Sequence, residues 1–310
     1  MFEELKALDT IKLNFSQESL FLMYLTLAFI MFGVALDLKL SSFRKVFLYP
    51  KGAIAGVISQ FLLLPAITFF MVIAIKLTPS VALGMILVAS CPGGNISNFI
   101  SSLAKAHTEL SITLTAIATL AAIIMTPLNF ALWGGWYTKI YGAKDLLIPI
   151  EIDPVQMFKT VFILLGIPLI AGLVFAWKFP KLTARIRKPI KILSILIFFG
   201  FVVAAFTANF DYFLKYIKWV IVLVLIHNFI ALMTGYSFAG AFRLPEIKRR
   251  TLAIETGIQN SGLGLVLIFN PKLFNGIGGM AFIAAWWGIW HIISGMGIAY
   301  YWSRRPVAKD

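Results

Sequence analysis

One carboxylate stands where a charge is costly. Glu255 lies in the apolar run 249–271, and of 13 Asp and Glu it is the only one well inside such a run. An ionised carboxylate at bilayer depth costs about 2.5–3.5 kcal/mol on insertion scales, so it needs a partner. No Lys or Arg lies deep in any apolar run to supply one. The missing countercharge is then a bound metal cation or a proton; the bland alternative is a neutral Glu hydrogen-bonded to a neighbouring helix. Oxygen-bearing residues recur in the other runs. Gln60 is a lone amide in the run 51–76, and Ser111, Thr115 and Thr119 follow at i, i+4 and i+8 in the run 109–136, one hydroxyl stripe on a helix. Uncharged hard oxygens of this kind suit sodium. Taken singly, the stripe also reads as Ser/Thr back-bonding to i−4 carbonyls, and Gln60 as interhelical glue. His227 and His291 are mid-run with no second His or Cys at ligand spacing, so a transition metal is not expected. They read as structural histidines, with His291 the one placed to line a cavity.

Two apolar runs are interrupted. Cys91-Pro92-Gly93-Gly94-Asn95-Ile96-Ser97-Asn98 breaks the run 79–104, and Glu255-Thr256-Gly257-Ile258-Gln259-Asn260-Ser261-Gly262 breaks the run 249–271. An unwound stretch exposes carbonyl oxygens to a cation, while half-helix N-termini aim N–H groups at an anion. Such backbone is tolerated at membrane depth only against protein or a water-filled cavity. The two breaks are therefore expected to meet near the midplane. Either alone would pass for an ordinary Gly/Pro kink; two in register, each with Asn and Ser beside Gly, would not.

The elements that must position these residues follow from composition. Of 310 residues 60% are hydrophobic and 13% charged, which excludes a soluble domain and a disordered chain alike. Nine apolar runs, near 18–38, 51–76, 79–104, 109–136, 155–177, 189–208, 217–242, 249–271 and 277–301, give an all-α integral membrane protein with nine transmembrane helices. The net charge of +14 would suggest nucleic acid in a soluble protein; here it reports topology. About two-thirds of the 27 Lys and Arg fall in alternate loops, with Lys39, Arg44 and Lys45 in one and a cluster from Lys178 to Lys191 in another. The positive-inside rule then puts the N-terminus outside and the C-terminus in the cytoplasm, with 302–310 as a cytoplasmic tail. Runs one to four pair with six to nine in opposite orientation, Gln60-Phe61 matching Asn228-Phe229, so the chain reads as an inverted repeat of four plus five spans (18–136 and 155–301) in one transporter domain, 18–301. Residues 1–17, with Phe2, Leu5, Leu8 and Ile11 at helical spacing among charges, read as an amphipathic interfacial segment, too acidic for a signal peptide. The single cysteine, Cys91, excludes an internal disulfide. No Walker A, GxGxxG or HExxH motif occurs, and no nucleophile–base pair accompanies Glu255, so neither ATP-driven transport nor an enzyme is expected.

The two interrupted segments, CPGGNISN (91–98) and ETGIQNSG (255–262), resemble the two crossover motifs of the bile acid:sodium symporter family, and the resemblance extends over residues 18 to 301. It implies a panel domain (18–38, 155–177, 189–208) and a core domain (51–136, 217–301), with two interrupted helices crossing at the centre. This chain resembles a nine-span form lacking the first panel helix. The resemblance also implies two sodium sites. One would use Ser97, Asn98, Ser111, Thr115 and Glu255; the other Gln60, Glu255 again, Thr256, Ile258 and Gln259. Asn95, Ile96, Asn260, Ser261 and His291 would face the substrate. Glu255, Gln60 and the hydroxyl stripe had been selected by their chemistry alone.

The function expected is sodium-coupled symport of an organic anion across the cell (inner) membrane by alternating access. The substrate would be bile-acid-like or a small carboxylate such as pantoate or pyruvate. Two sodium ions are expected, with the lipid bilayer as surroundings, no nucleic acid, and nothing that specifies an oligomer. The competing readings are a proton-coupled carrier using Glu255 and a sodium-sensing receptor or channel; a channel should show a continuous polar stripe or charged rings, where this chain has only local breaks.

Overall fold

The computed structural model describes residues 5–13, 17–38, 50–141, 152–208, 210–305 and 307. The charged stretch 39–49, the cations and acids between 142 and 151, residues 1–4 and 308–310 lie outside them. Helices α1 (Gln17–Asp37), α2 (Pro50–Ile75), α3 (Pro79–Ser90), α4 (Ile96–Leu103), α5 (Thr108–Tyr141) and α6 (Pro154–Lys178) are followed by α7 (Pro180–Ala208), α8 (Phe210–Ala241), α9 (Glu246–Gly257), α10 (Ser261–Phe269) and α11 (Gly278–Ser303). No β-strand occurs among the described residues, only two isolated bridges.

Among the described residues, five helices are long and apolar enough to cross a bilayer: Pro50–Ile75, Thr108–Tyr141, Pro154–Lys178, Leu214–Ala241 and Gly278–Ser303; Leu20–Leu36 and Pro79–Ser90 are shorter apolar helices. Their outward side chains are large and apolar, Leu62, Phe70, Ile124, Ile163 and Phe229 among them, each more than half exposed. Water would not tolerate such a surface, and lipid would. The protein is a multi-pass helical membrane protein.

The helix ends follow local chemistry. Asp153 caps α6, accepting from the N–H groups of Val155 and Gln156, with Pro154 at the first helical position. The His107 side chain caps α5 by accepting from Leu110 N–H. Lys76, Lys105 and Arg243 stand in left-handed conformation just past α2, α4 and α8, stopping each helix at a cation. Three π-helical turns, Ser59–Leu63, Phe130–Gly134 and Phe162–Gly166, interrupt α2, α5 and α6, each within three residues of a proline (Pro65, Pro127, Pro168). Proline cannot donate to the i−4 carbonyl, and in α2 and α6, where that carbonyl (Phe61, Leu164) lies in the π turn, the wider turn absorbs the lost bond. The first of these turns carries Ser59 and Gln60.

α1 packs against α6 and α7, and α2, α3, α5, α8, α9 and α11 pack among themselves around the short α4; α6 also lies along α5, and the short α10 sits between α11 and α1. α8 and α9 lie in close contact. A Cβ on Gly235 would lie 2.2 Å from the Leu252 carbonyl oxygen, so only glycine lets the two backbones touch.

The N-terminal segment departs from the expected interfacial helix. Leu5 and Leu8 are fully buried against protein, not turned to headgroups, and residues 7–9 form a single 3-10 turn. Beyond it the chain runs extended: Ile11 accepts from Gly278 N–H (2.8 Å), Leu13 N–H donates to Gly276 (3.0 Å), and Lys12 bridges Ile277. Asp9, also buried, accepts from Ser80 N–H (2.8 Å) at the start of α3. Amphipathic spacing identified the buried positions but could not say whether lipid or protein would cover them.

Candidate functional site

The two breaks meet. Cys91–Asn95 separates α3 from α4, and Ile258–Asn260 separates α9 from α10. Gly93 and Gln259 form an antiparallel bridge. Gly94 N–H donates to the Ile258 carbonyl (2.7 Å) and Asn260 N–H to the Pro92 carbonyl (2.8 Å). The unwound backbones thus satisfy each other, as buried chain must. The approach depends on side-chain-free residues, since a Cβ on Gly94 would sit 3.0 Å from the Gln259 carbonyl oxygen.

Glu255, 5% exposed, lies one turn before the second break. Ser97 of α4 donates to its Oε1 (2.6 Å), Ser111 of α5 donates to the same oxygen, and Thr115 donates to Oε2 (3.0 Å). Asn98 Oδ1 completes the set, within reach of the Ser111 (2.9 Å) and Thr115 (3.2 Å) hydroxyls, whose single protons it competes for with the carboxylate. All five residues of the first expected group therefore converge. None of the ion pairs described involves Glu255, and no cluster of three or more His, Cys, Asp or Glu occurs among the described residues. One carboxylate among hydroxyl and amide oxygens is a donor set for a hard monovalent cation. Thr119, the third member of the stripe, donates to the Thr115 carbonyl (2.7 Å) and shows no bond to this group.

The second expected group is brought together differently. Gln60 donates to Gln259 Oε1 (2.9 Å), Gln259 donates back to Gln60 Oε1 (3.3 Å), and Gln259 also donates to the Thr256 carbonyl (2.6 Å). The Glu255 carboxylate is turned to the first group, and the Ile258 carbonyl is taken by Gly94. The oxygens of this group are thus committed to protein donors. Gln60 also donates to the Cys91 carbonyl (2.9 Å), and Ser59 is bonded to Thr256 Oγ1 (2.8 Å). Neither Ser59 nor the Cys91 carbonyl was singled out from sequence; Ser59 could have been, as the neighbour of Gln60.

The substrate-facing residues bracket the crossing. Asn95, half-buried, begins α4 without a capping bond from its side chain, and Asn260 begins α10 with its Oδ1 accepting from Leu263 N–H (3.1 Å). Ile96 packs in an apolar cluster with Ile100 and Ile254. Ser261 lies against Gly288 of α11, where a Cβ would be 2.7 Å from its Oγ. His291 is buried on the same helix one turn later, and its Nδ1 has no hydrogen-bond partner among the described residues. His227 is bonded to Thr68 Oγ1 (2.8 Å) with its ring against Trp287, so it serves packing.

Comparison with known proteins decides the family. The model of the sodium bile acid symporter family matches residues 24–216. The chain belongs to that family. The uncharacterized sodium-dependent transporter YocS of Bacillus subtilis is 33% identical over 306 residues, covering 96% of this chain and 89% of that one. The probable sodium/metabolite cotransporter BASS1, chloroplastic, of Arabidopsis thaliana is 30% identical over 76% of this chain and 56% of its own length. The P3 protein of Mus musculus is 30% identical over 84% of this chain and 54% of its own. This chain thus spans nearly all of the bacterial relative and little more than half of the plant and mammalian ones.

Proposed function

We propose that this protein is a sodium-coupled symporter that imports an organic anion by alternating access. The observation that carries the reading is the Glu255 site: a buried carboxylate with three hydroxyls and an amide oxygen around it and no cationic side chain among its described partners. Sodium supplies the countercharge. The names of the relatives, which are a sodium-dependent transporter and a sodium/metabolite cotransporter, support the same ion.

A sodium ion at Ser97, Asn98, Ser111, Thr115 and Glu255 replaces the hydroxyl-to-carboxylate bonds with coordination. In doing so it ties α4 and α5 to α9. A second ion is assigned to Gln60, Gln259 and the carbonyls at Thr256 and Ile258. It enters when the Gln60–Gln259 amide pair rotates its oxygens inward. With both ions bound, the N-terminal ends of α4 and α10, marked by Asn95 and Asn260, present N–H groups to the carboxylate or sulfonate of the substrate. Ile96, Ser261 and His291 complete the binding surface. Two sodium ions with one monoanion carry net positive charge inward, so uptake is electrogenic.

The architecture proposed around this site has nine crossings. α3 with α4, and α9 with α10, each make one broken crossing, and α1, α2, α5, α6, α7, α8 and α11 make the rest. The panel (α1, α6, α7) moves against the core in an inverted four-plus-five arrangement, with the N-terminus outside and the C-terminus in the cytoplasm. The packing of α1 with α6 and α7 supports that division, and α6 against α5 with α1 against α10 forms the seam between panel and core.

The test is a thermal-shift screen of organic anions on purified protein, with sodium or choline chloride at equal ionic strength. Anion stabilisation that requires sodium is expected. Anion stabilisation equal in choline would overturn sodium coupling in favour of a proton-coupled carrier.

A further inference from the structure

We infer that Asn228 and Ser294 form a relay that positions the cation site from α11, a role that rests on the reading of Glu255 as a sodium ligand. Ser294 of α11 donates to Asn228 Oδ1 (2.6 Å), and Asn228 Nδ2 donates to the carbonyl of Gly257 (2.7 Å). Gly257 is the last residue of α9, two after Glu255 and two before Gln259. Its carbonyl is one of the orphans every helix end leaves, and at membrane depth no water satisfies it. Asn228, 1% exposed, is the side chain that does.

The bond has a counterpart at the first break. There Gln60 donates to the carbonyl of Cys91, where α3 ends. In each half, an amide on the preceding helix holds the carbonyl at which the first half-helix stops. The two amides differ in what holds them. Gln60 is held by Gln259 across the crossing, whereas Asn228 is held by Ser294. Ser294 adjoins Gly295, whose absent Cβ leaves room for Ile100 and Ile258, and lies one turn beyond His291. α11 is thus pressed onto α4 and the second break along the face that carries the expected substrate residue His291. A shift of α11 is felt at Asn228, then at the end of α9, and so at the Glu255 carboxylate. Asn228 and Ser294 touch neither cation nor substrate; they are positioning residues.

The experiment follows sodium-dependent thermal stabilisation of the purified full chain in NaCl/choline chloride mixtures of constant ionic strength, and reads the sodium midpoint separately from the melting temperature without sodium. Asn228→Ala is expected to raise that midpoint about tenfold, the lower end of what loss of a supporting hydrogen bond costs a metal site. Asn228→Asp, which keeps the acceptor for Ser294 but loses the donor to Gly257, should do the same. Ser294→Ala should raise the midpoint by a smaller factor and Ser294→Thr should restore it. The Asn228→Ala/Ser294→Ala double variant should be no worse than Asn228→Ala alone. A lower melting temperature with an unchanged sodium midpoint would make Asn228 merely structural and overturn the relay, as would multiplying effects in the double variant. If Asn228→Ala does not fold, the Ser294 pair decides: equal midpoints in Ser294→Ala and Ser294→Thr sink the proposal. Glu255→Gln separates the two levels. If it leaves the midpoint unchanged, the sodium reading itself fails; if it abolishes the response while Asn228→Ala has no effect, only the relay fails.

Discussion

The two breaks do the same geometric job with different chemistry. The first spans Cys91 to Asn95 and opens by backbone, with a proline that removes a donor, two glycines that let the partner chain approach, and no side-chain cap from Asn95 on α4. The second spans only Ile258 to Asn260 and adds a side-chain cap, Asn260 on α10, while in both an amide, Gln60 or Asn228, holds the end of the first half-helix. Charge is divided unequally as well. The segment around the first break contributes neutral oxygens, Ser97 and Asn98, and the one around the second contributes the carboxylate, Glu255. On the proposed reading, a cation bound here would take its charge from the segment of the second break and its neutral oxygens from that of the first, so binding would join the two.

That asymmetry can be broken, most severely at the charge. Glu255→Gln keeps an oxygen for Ser97, Ser111 and Thr115 to bond and removes the charge that draws in a cation. Sodium-dependent stabilisation should vanish while the protein remains folded in choline. Gly94→Ala attacks the backbone half of the comparison. Its Cβ would press on the Gln259 carbonyl oxygen at 3.0 Å. Overpacking of this kind costs about 1–3 kcal/mol, and the melting temperature should fall with or without sodium. Gln60→Leu strips the donor from the Cys91 carbonyl and from Gln259. A buried acceptor left unpaired costs about 1–3 kcal/mol, and if Gln60 is a ligand the electrogenic charge per anion, measured by current in proteoliposomes, should drop as well.

Within one stripe the effects should separate. Ser111→Ala is expected to raise the sodium midpoint about tenfold, whereas Thr119→Ala, whose hydroxyl bonds only to the Thr115 carbonyl, should leave it unchanged and alter stability by less than about 0.5 kcal/mol. Equal effects would dissolve the distinction between ligand and back-bonding hydroxyl. The smallest effect is expected far from both breaks, at Asp9. Burial pushes its carboxyl above the ordinary 3.8, opposed by the bond from Ser80 and by Lys6. A folded state that holds this proton more tightly than the unfolded chain loses stability as pH rises above 3.8 through the shifted value. Asp9→Asn should therefore raise the melting temperature slightly at pH 7 and change it less near pH 4; the reverse order would contradict the assignment.

Much of the site was legible because chemistry that is expensive in a bilayer stands out in a sequence. Glu255, Gln60, Ser111 and Thr115 stand out by residue type and depth alone; Ser111 and Thr115 meet the Glu255 carboxylate, whereas Gln60 meets Gln259 instead. Thr119 shared their spacing but not their role, because helical periodicity reports a face and not which neighbour meets it. Ser294 gives no comparable signal, since an isolated serine in an apolar helix commonly bonds its own backbone, and Ser59 is marked only by its neighbour Gln60. Asn228 was visible only as the counterpart of Gln60.

By itself the sequence determined an all-helical membrane protein, the positions of its two interruptions and the single deep carboxylate at the second of them. These follow from one-dimensional quantities: hydropathy, Gly and Pro placement, and the cost of charge in lipid. Only the tertiary structure decided that Gly94 and Asn260 exchange backbone bonds with the opposite break. It also decided that Glu255 turns to Ser97, Ser111 and Thr115 and away from Gln60, and that Leu5 and Leu8 are covered by protein. Those outcomes depend on which of several chemically adequate partners lies within hydrogen-bond reach, and that distance is set by how whole helices pack.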